Sequence, residues 1–60
     1  MKNISIIDKN TFKTYATIWA SKYDTHNDLV IFFDDNCNVT GSASIDFILS
    51  SDLEKLEKVV

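Results

Sequence analysis

The oxygen-bearing run Asp34, Asn36, Asn38 and Thr40 sets ligand-type side chains at alternate positions, the spacing by which a calcium loop turns its oxygens inward. Such a loop needs a glycine for its sharp turn and a closing glutamate, and those two positions hold Val39 and Ile45. The run is therefore expected to form a hairpin turn, and no metal site is predicted. His26 and Cys37 are single representatives of their types and supply at most half of a zinc ligand set. Neither has a neighbour in sequence that would make a nucleophile–base pair of it. Asp34 and Asp35 are adjacent carboxylates, and acid–base work would require burial to raise one of them. A turn tip is solvated, so their expected roles are to form the turn and to face a basic surface. With no glycine-rich phosphate loop either, no catalytic residue and no cofactor is predicted, and the chain is expected not to be an enzyme.

The size of the chain points the same way. Sixty residues bury only roughly 60% of the surface exposed when unfolded. A ligand pocket of about 300–1,000 Å³ is a large demand on so small a core. One domain spanning 1–60 is expected, because there is no proline, a single glycine (Gly41), no repeat and no low-complexity linker. Cys37 alone excludes an internal disulfide framework and fits a reducing compartment. Asp8 and Lys9 end the first apolar run before it reaches the length of a signal peptide, and no run approaches a bilayer span. The expected location is cytoplasmic, that of the bacterial host cell if the gene is phage encoded.

Charge is segregated along the chain. Lys2, Lys9, Lys13 and Lys22 face only Asp8 in the first 22 residues. Asp24, Asp28, Asp34, Asp35, Asp46, Asp52 and Glu54 then follow with no lysine among them. All basic residues are lysine, and the absence of arginine removes the side chain best suited to bidentate phosphate and base contacts.

Asp- and Asn-rich clusters at 8–11, 22–28 and 34–38 divide four runs rich in β-branched and aromatic residues: 3–7, 12–21, 29–33 and 39–49. In the last run Ala43, Ile45, Phe47 and Leu49 alternate with Ser42, Ser44 and Asp46, the pattern of a half-buried strand. Ser51-Asp52-Leu53-Glu54 reads as a capping box, with Leu53, Leu56 and Val60 as an apolar stripe and Glu54 and Lys58 as a pair on the other side, over a helix within 50–60. The expected fold is α+β: a small antiparallel meander of about four strands packed on one short C-terminal helix. Phe12, Tyr15, Ala16, Trp19, Ala20 and Tyr23 also fit one helical face, so a βαββα arrangement with 11–22 helical is the alternative.

One helix covers one face of a sheet. In the strand reading Tyr15, Thr17 and Trp19 lie opposite Phe12, Ala16 and Ile18, and 29–33 is apolar on both faces, so the second face is expected to meet another chain. The function expected is that of a small acidic protein-binding regulator or inhibitor, acting as a homodimer on a protein partner with a basic surface. Its binding residues would be Tyr15, Trp19, Asp24, Asp28, Asp34, Asp35 and Asp46. Proteins of this type are frequent in phages and mobile elements, where they disable host defence or nucleic-acid-handling proteins. An antitoxin or immunity protein is one alternative. A second comes from Phe47-Ile48-Leu49-Ser50 leading into Leu53 and Leu56, which resembles the last strand and helix of the single-stranded-DNA-binding transcriptional coactivator domain. That resemblance implies a dimeric sheet-and-helix fold in which Tyr15, Trp19 and Phe32 would stack bases. The family lays basic residues along its sheet, where this chain has Lys13 and Lys22.

Overall fold

β-branched residues are crowded in a helix and packed well on a pleated surface, and Thr14, Thr17 and Ile18 settle into a strand. The computed structural model describes residues 1–59; Val60 and the side chain of Tyr15 lie outside the described residues. The elements run β1 (Lys2–Ile7), β2 (Thr14–Ala20), β3 (Lys22–His26), β4 (Leu29–Phe33), β5 (Val39–Ser44), a 3-10 turn (Ile45–Phe47), α1 (Ser50–Leu53) and β6 (Glu57–Lys58). The fold is small and α+β, as expected. The helical alternative for 11–22 is overturned: β2 pairs antiparallel with β1 from Lys2↔Ala20 to Ile7↔Thr14. Thr11, the first residue of that alternative, sits in the hairpin turn, where its hydroxyl accepts from the Lys13 N–H at 3.4 Å.

There are two sheets rather than one. β1 and β2 form a hairpin of their own, and β5-β4-β3-β6 form a four-stranded sheet. Residues 22–26 were expected in a turn, yet they make the inner strand β3, antiparallel to β4 with Tyr23 opposite Phe32. The turn shrinks to Asn27 and Asp28, with Asn27 at φ 56°. A positive φ at the first of two loop positions suits the twist of a hairpin, and asparagine tolerates it.

β2 and β3 are nearly one strand, bent at Ser21. The Ser21 N–H donates to the Phe33 carbonyl at 2.9 Å, and the Ser21 carbonyl accepts from the Glu57 N–H at 3.3 Å. The bend changes which residues face inward. Before it, half-buried Ile18 and buried Ala20 point to the core and Trp19 points out; after it, Tyr23 packs on the core.

The C-terminal segment departs furthest from the sequence reading. β5 ends at Ser44, whose hydroxyl accepts from the Asp46 N–H at 3.4 Å and opens the 3-10 turn. The helix is one turn of four residues, its N-cap is Leu49 with no side-chain cap, and the expected capping box does not form. Asp52 instead accepts from the Ser5 N–H at 3.5 Å and pairs with Lys55 at 3.3 Å. The physical reason lies in β3. A short helix is marginal by itself, whereas the open edge of β3 offers carbonyls at Ser21 and Tyr23. Glu57 and Val59 donate to them at 3.3 and 2.7 Å, forming β6 parallel to β3. The closing helix implied by the coactivator-domain resemblance is correspondingly reduced to one turn among the described residues.

The core lies between the hairpin and the four-stranded sheet. Ile4, Ile6, Ala20, Val30, Phe32, Ile48 and Leu56 are buried, and Ile18, Tyr23, Ala43 and Leu53 pack against them. At Gly41 β5 lies close against the hairpin: a Cβ built there would stand 3.0 Å from Ile18 Cδ1. Among the described residues no helix is long and apolar enough to cross a membrane.

Candidate partner-binding surface

The acidic residues, clustered in sequence, are spread by the meander. Asp28 sits in the β3–β4 turn, while Asp34 and Asp35 sit at the other end of β4, a separation of about 17 Å for a five-residue strand. Asp24 lies between them on β3, opposite Ile31, and its carboxylate accepts from the Thr25 N–H at 2.8 Å. Asp46 is on the 3-10 turn and forms an exposed ion pair with Lys9 at 3.4 Å. Trp19 is half exposed on the outer face of the hairpin, opposite Asn3. Tyr15, the remaining predicted contact, has its side chain outside the described residues.

Asp34 carries a local task. One carboxylate oxygen accepts from the N–H of Asn36 at 2.8 Å and of Asn38 at 2.9 Å, and the other from the Asn38 side-chain amide at 3.4 Å. The Asn38 N–H, more than any other group, holds the Asp34 carboxyl below its ordinary range, with the Asn36 N–H and the Asn38 amide adding to it against a desolvation that works the other way. A lowered folded-state value means stability present above the unfolded-state value of about 3.9 and lost as pH falls through the folded-state value. The stability difference between the native chain and Asp34→Asn is thus expected to be constant at neutral pH and to shrink below about pH 4, as urea titrations at stepped pH will measure. A difference that does not change down to pH 2 would contradict the turn geometry.

Central strand β4 is where acid and apolar residues meet. Val30 and Phe32 point into the core, and Leu29, Ile31 and Phe33 occupy the opposite face, none of them in the core cluster. Asp24 flanks this stripe at its middle, Ser42 and Ser44 line its other side, and Val39 lies beyond Phe33. Val39 is 64% exposed and Leu29 41%.

A second exposed apolar group was not foreseen. Ile45, Phe47 and Leu49 were expected on the buried face of a continuous strand, but the 3-10 turn breaks the alternation and all three are exposed. Phe47 and Leu49 lie toward the tip of the β1–β2 hairpin, where Phe12 is 83% exposed and has φ 57°. Phe12, Phe47, Leu49 and Ile7 line a depression of about 160 Å³, with Lys9 and Asp46 at its rim. The only signal in the sequence was Ser44, a capping residue in the middle of an apolar alternation.

A second concavity, about 250 Å³, gathers Lys2, Lys22 and Lys55 with Asp35, Glu57 and Ser21. Its three lysines stand beside two carboxylates, and Lys55 pairs with Asp52 outside this lining. Ser21 Oγ is buried there without a hydrogen-bond partner. Cys37 is exposed at φ 65°, with Lys22 Nζ 3.8 Å from its sulfur, and His26 is exposed at the far end of β3. Among the described residues no three metal-ligating side chains gather. Comparisons with family models, curated proteins and solved structures find no match to this chain.

Proposed function

We propose that this protein works by binding another protein through the outer face of β4, as a regulator or inhibitor of that partner. The observation that carries the reading is the stripe Leu29, Ile31 and Phe33, apolar on the side away from the core, with Leu29 exposed and Ile31 and Phe33 half-buried; Asp24 flanks its middle between Lys22 and His26, Asp28 lies in the turn before Leu29 and Asp35 beyond Phe33. Exposed apolar patches with polar rims are typical of docking surfaces. The complement of this one is a flat apolar surface with lysine or arginine around it, attracted at long range by a chain of net charge −3. A nucleic acid fits the face poorly, since Asp24 would meet phosphate at its centre. A basic surface on a host defence or nucleic-acid-handling protein, or on a toxin, has the required chemistry.

The test is affinity capture from cells that carry the gene, at low and high salt, with the native chain and with Asp24→Lys/Asp28→Lys and Leu29→Glu variants. A basic protein should be retained by the native chain at low salt and lost with either variant. Failure of the native chain to retain any protein, or retention indifferent to both variants, would discard the reading.

A further inference from the structure

We infer that the tip of the β1–β2 hairpin is a self-association site, at which Phe12 of one copy enters the depression beside Phe12 of a second copy about a two-fold axis. This surface is separate from the outer face of β4, and the inference stands independently of the proposed function.

Phe12 is the first observation. A bulky residue at φ 57° is an outlier for an L-amino acid, and such strain survives where the surroundings enforce it. Here the Phe12 N–H donates to the Asp8 carbonyl at 2.7 Å, and the Asp8 N–H to the Lys13 carbonyl at 2.9 Å, which lock the turn. The result is an aromatic ring held out at the tip, 83% exposed, at a position where asparagine or glycine would fit the backbone better. The ring lines the depression beside Phe47 with most of its surface left to solvent.

The depression is the second. Its volume of about 160 Å³ matches the cavity of about 150 Å³ that, lined by Leu, Ile and Phe, takes up one benzene ring. Ile7, Phe47 and Leu49 supply the apolar walls. Knob and socket lie side by side on one patch, the arrangement that an isologous contact requires, since each copy must offer both halves.

Charge at the rim leaves a second copy unopposed. The rim bears one lysine and one aspartate, Lys9 and Asp46, 3.4 Å apart. Two copies meeting here bring together no net charge, although each chain is −3 overall. Meeting across the β4 face would instead bring the Asp24 and Asp28 of one copy toward those of the other, with Lys22 beside Phe33 as the cation on that face. A second copy is therefore suited to the hairpin tip and a basic partner to β4.

Sedimentation equilibrium over a wide concentration range tests the inference. The native chain should approach twice its mass of 6.8 kDa as concentration rises. Phe12→Asn should weaken the dimer about tenfold or more, while leaving urea stability equal or higher because asparagine relieves the left-handed backbone. Leu49→Asp should weaken it as well, and Val39→Asp on the other surface should not. A native chain that stays monomeric, a dimer unaffected by Phe12→Asn, or a dimer broken only by Val39→Asp would overturn the inference. So would a monomer whose Phe12 is needed to retain a different protein, since the occupant would then not be a second copy.

Discussion

Phe32→Ala should leave the chain without a cooperative unfolding transition at 25 °C. Phe32 is fully buried on the central strand, opposite Tyr23 on β3 and Gly41 on β5, and is among the three largest side chains shut off completely from solvent. Removing a buried phenylalanine costs about 3–5 kcal/mol, because the lost transfer energy is joined by the cavity left behind. A domain of this length has roughly 3–9 kcal/mol in total, from about 0.05–0.15 kcal/mol per residue. The cost thus takes from about a third to the whole of the stability, and the seven buried side chains among the described residues leave few neighbours to relax into the gap. Near-ultraviolet circular dichroism and urea titration will read the outcome. A cooperative transition weakened by less than about 1 kcal/mol would mean that Phe32 is not where the core closes.

Gly41→Val is the second large effect, with an expected loss of about 1–2 kcal/mol. Valine is a good strand residue, and replacing glycine restricts the unfolded chain, so both local terms favour the variant by up to about 1 kcal/mol each. Packing decides against it. The Cβ alone would lie 3.0 Å from Ile18 Cδ1 and 3.3 Å from Ile18 Cγ1 and Cγ2, and overfilling a close contact costs about 1–3 kcal/mol before the two further methyls are placed. Because the opposing atoms belong to one side chain, Ile18→Ala in the same molecule should return much of the loss. A double-mutant cycle will measure that coupling. Additive losses would place the conflict somewhere other than between β5 and the hairpin.

How much was legible beforehand follows the range of the interactions. Runs 3–7 and 29–33 announced themselves through β-branched and aromatic content, and β1 and β4 fall within about a residue of those limits. Residues 22–26 did not, because Asp24 and the neighbouring Asn27 and Asp28 give the stretch the composition of a turn. What makes them a strand is a tight hairpin to β4 through Asn27 and Asp28, together with pairing to β6 that lies about 35 residues on in sequence. The closing helix failed for the same reason: its capping pattern was outweighed by two backbone hydrogen bonds to β3, about 35 residues away in sequence. Of the residues named by type, Asp24 flanks the outer face of β4 and Trp19 lies on the outer face of the hairpin. Phe47 and Leu49 were assigned to the wrong face, since a single break after Ser44 reverses everything beyond it.

The bend at Ser21 bears on which length changes an ancestral gene could have accepted. Inserting or losing one codon at a hairpin tip, such as 9–11 or 35–37, alters a loop and leaves both flanking strands in register. At Ser21 the same event would exchange Tyr23 for Lys22 or Asp24 at the core and carry the next strand's partners with it. Descendants of this chain should therefore differ in length at their turns and keep a constant spacing between Ala20 and Tyr23.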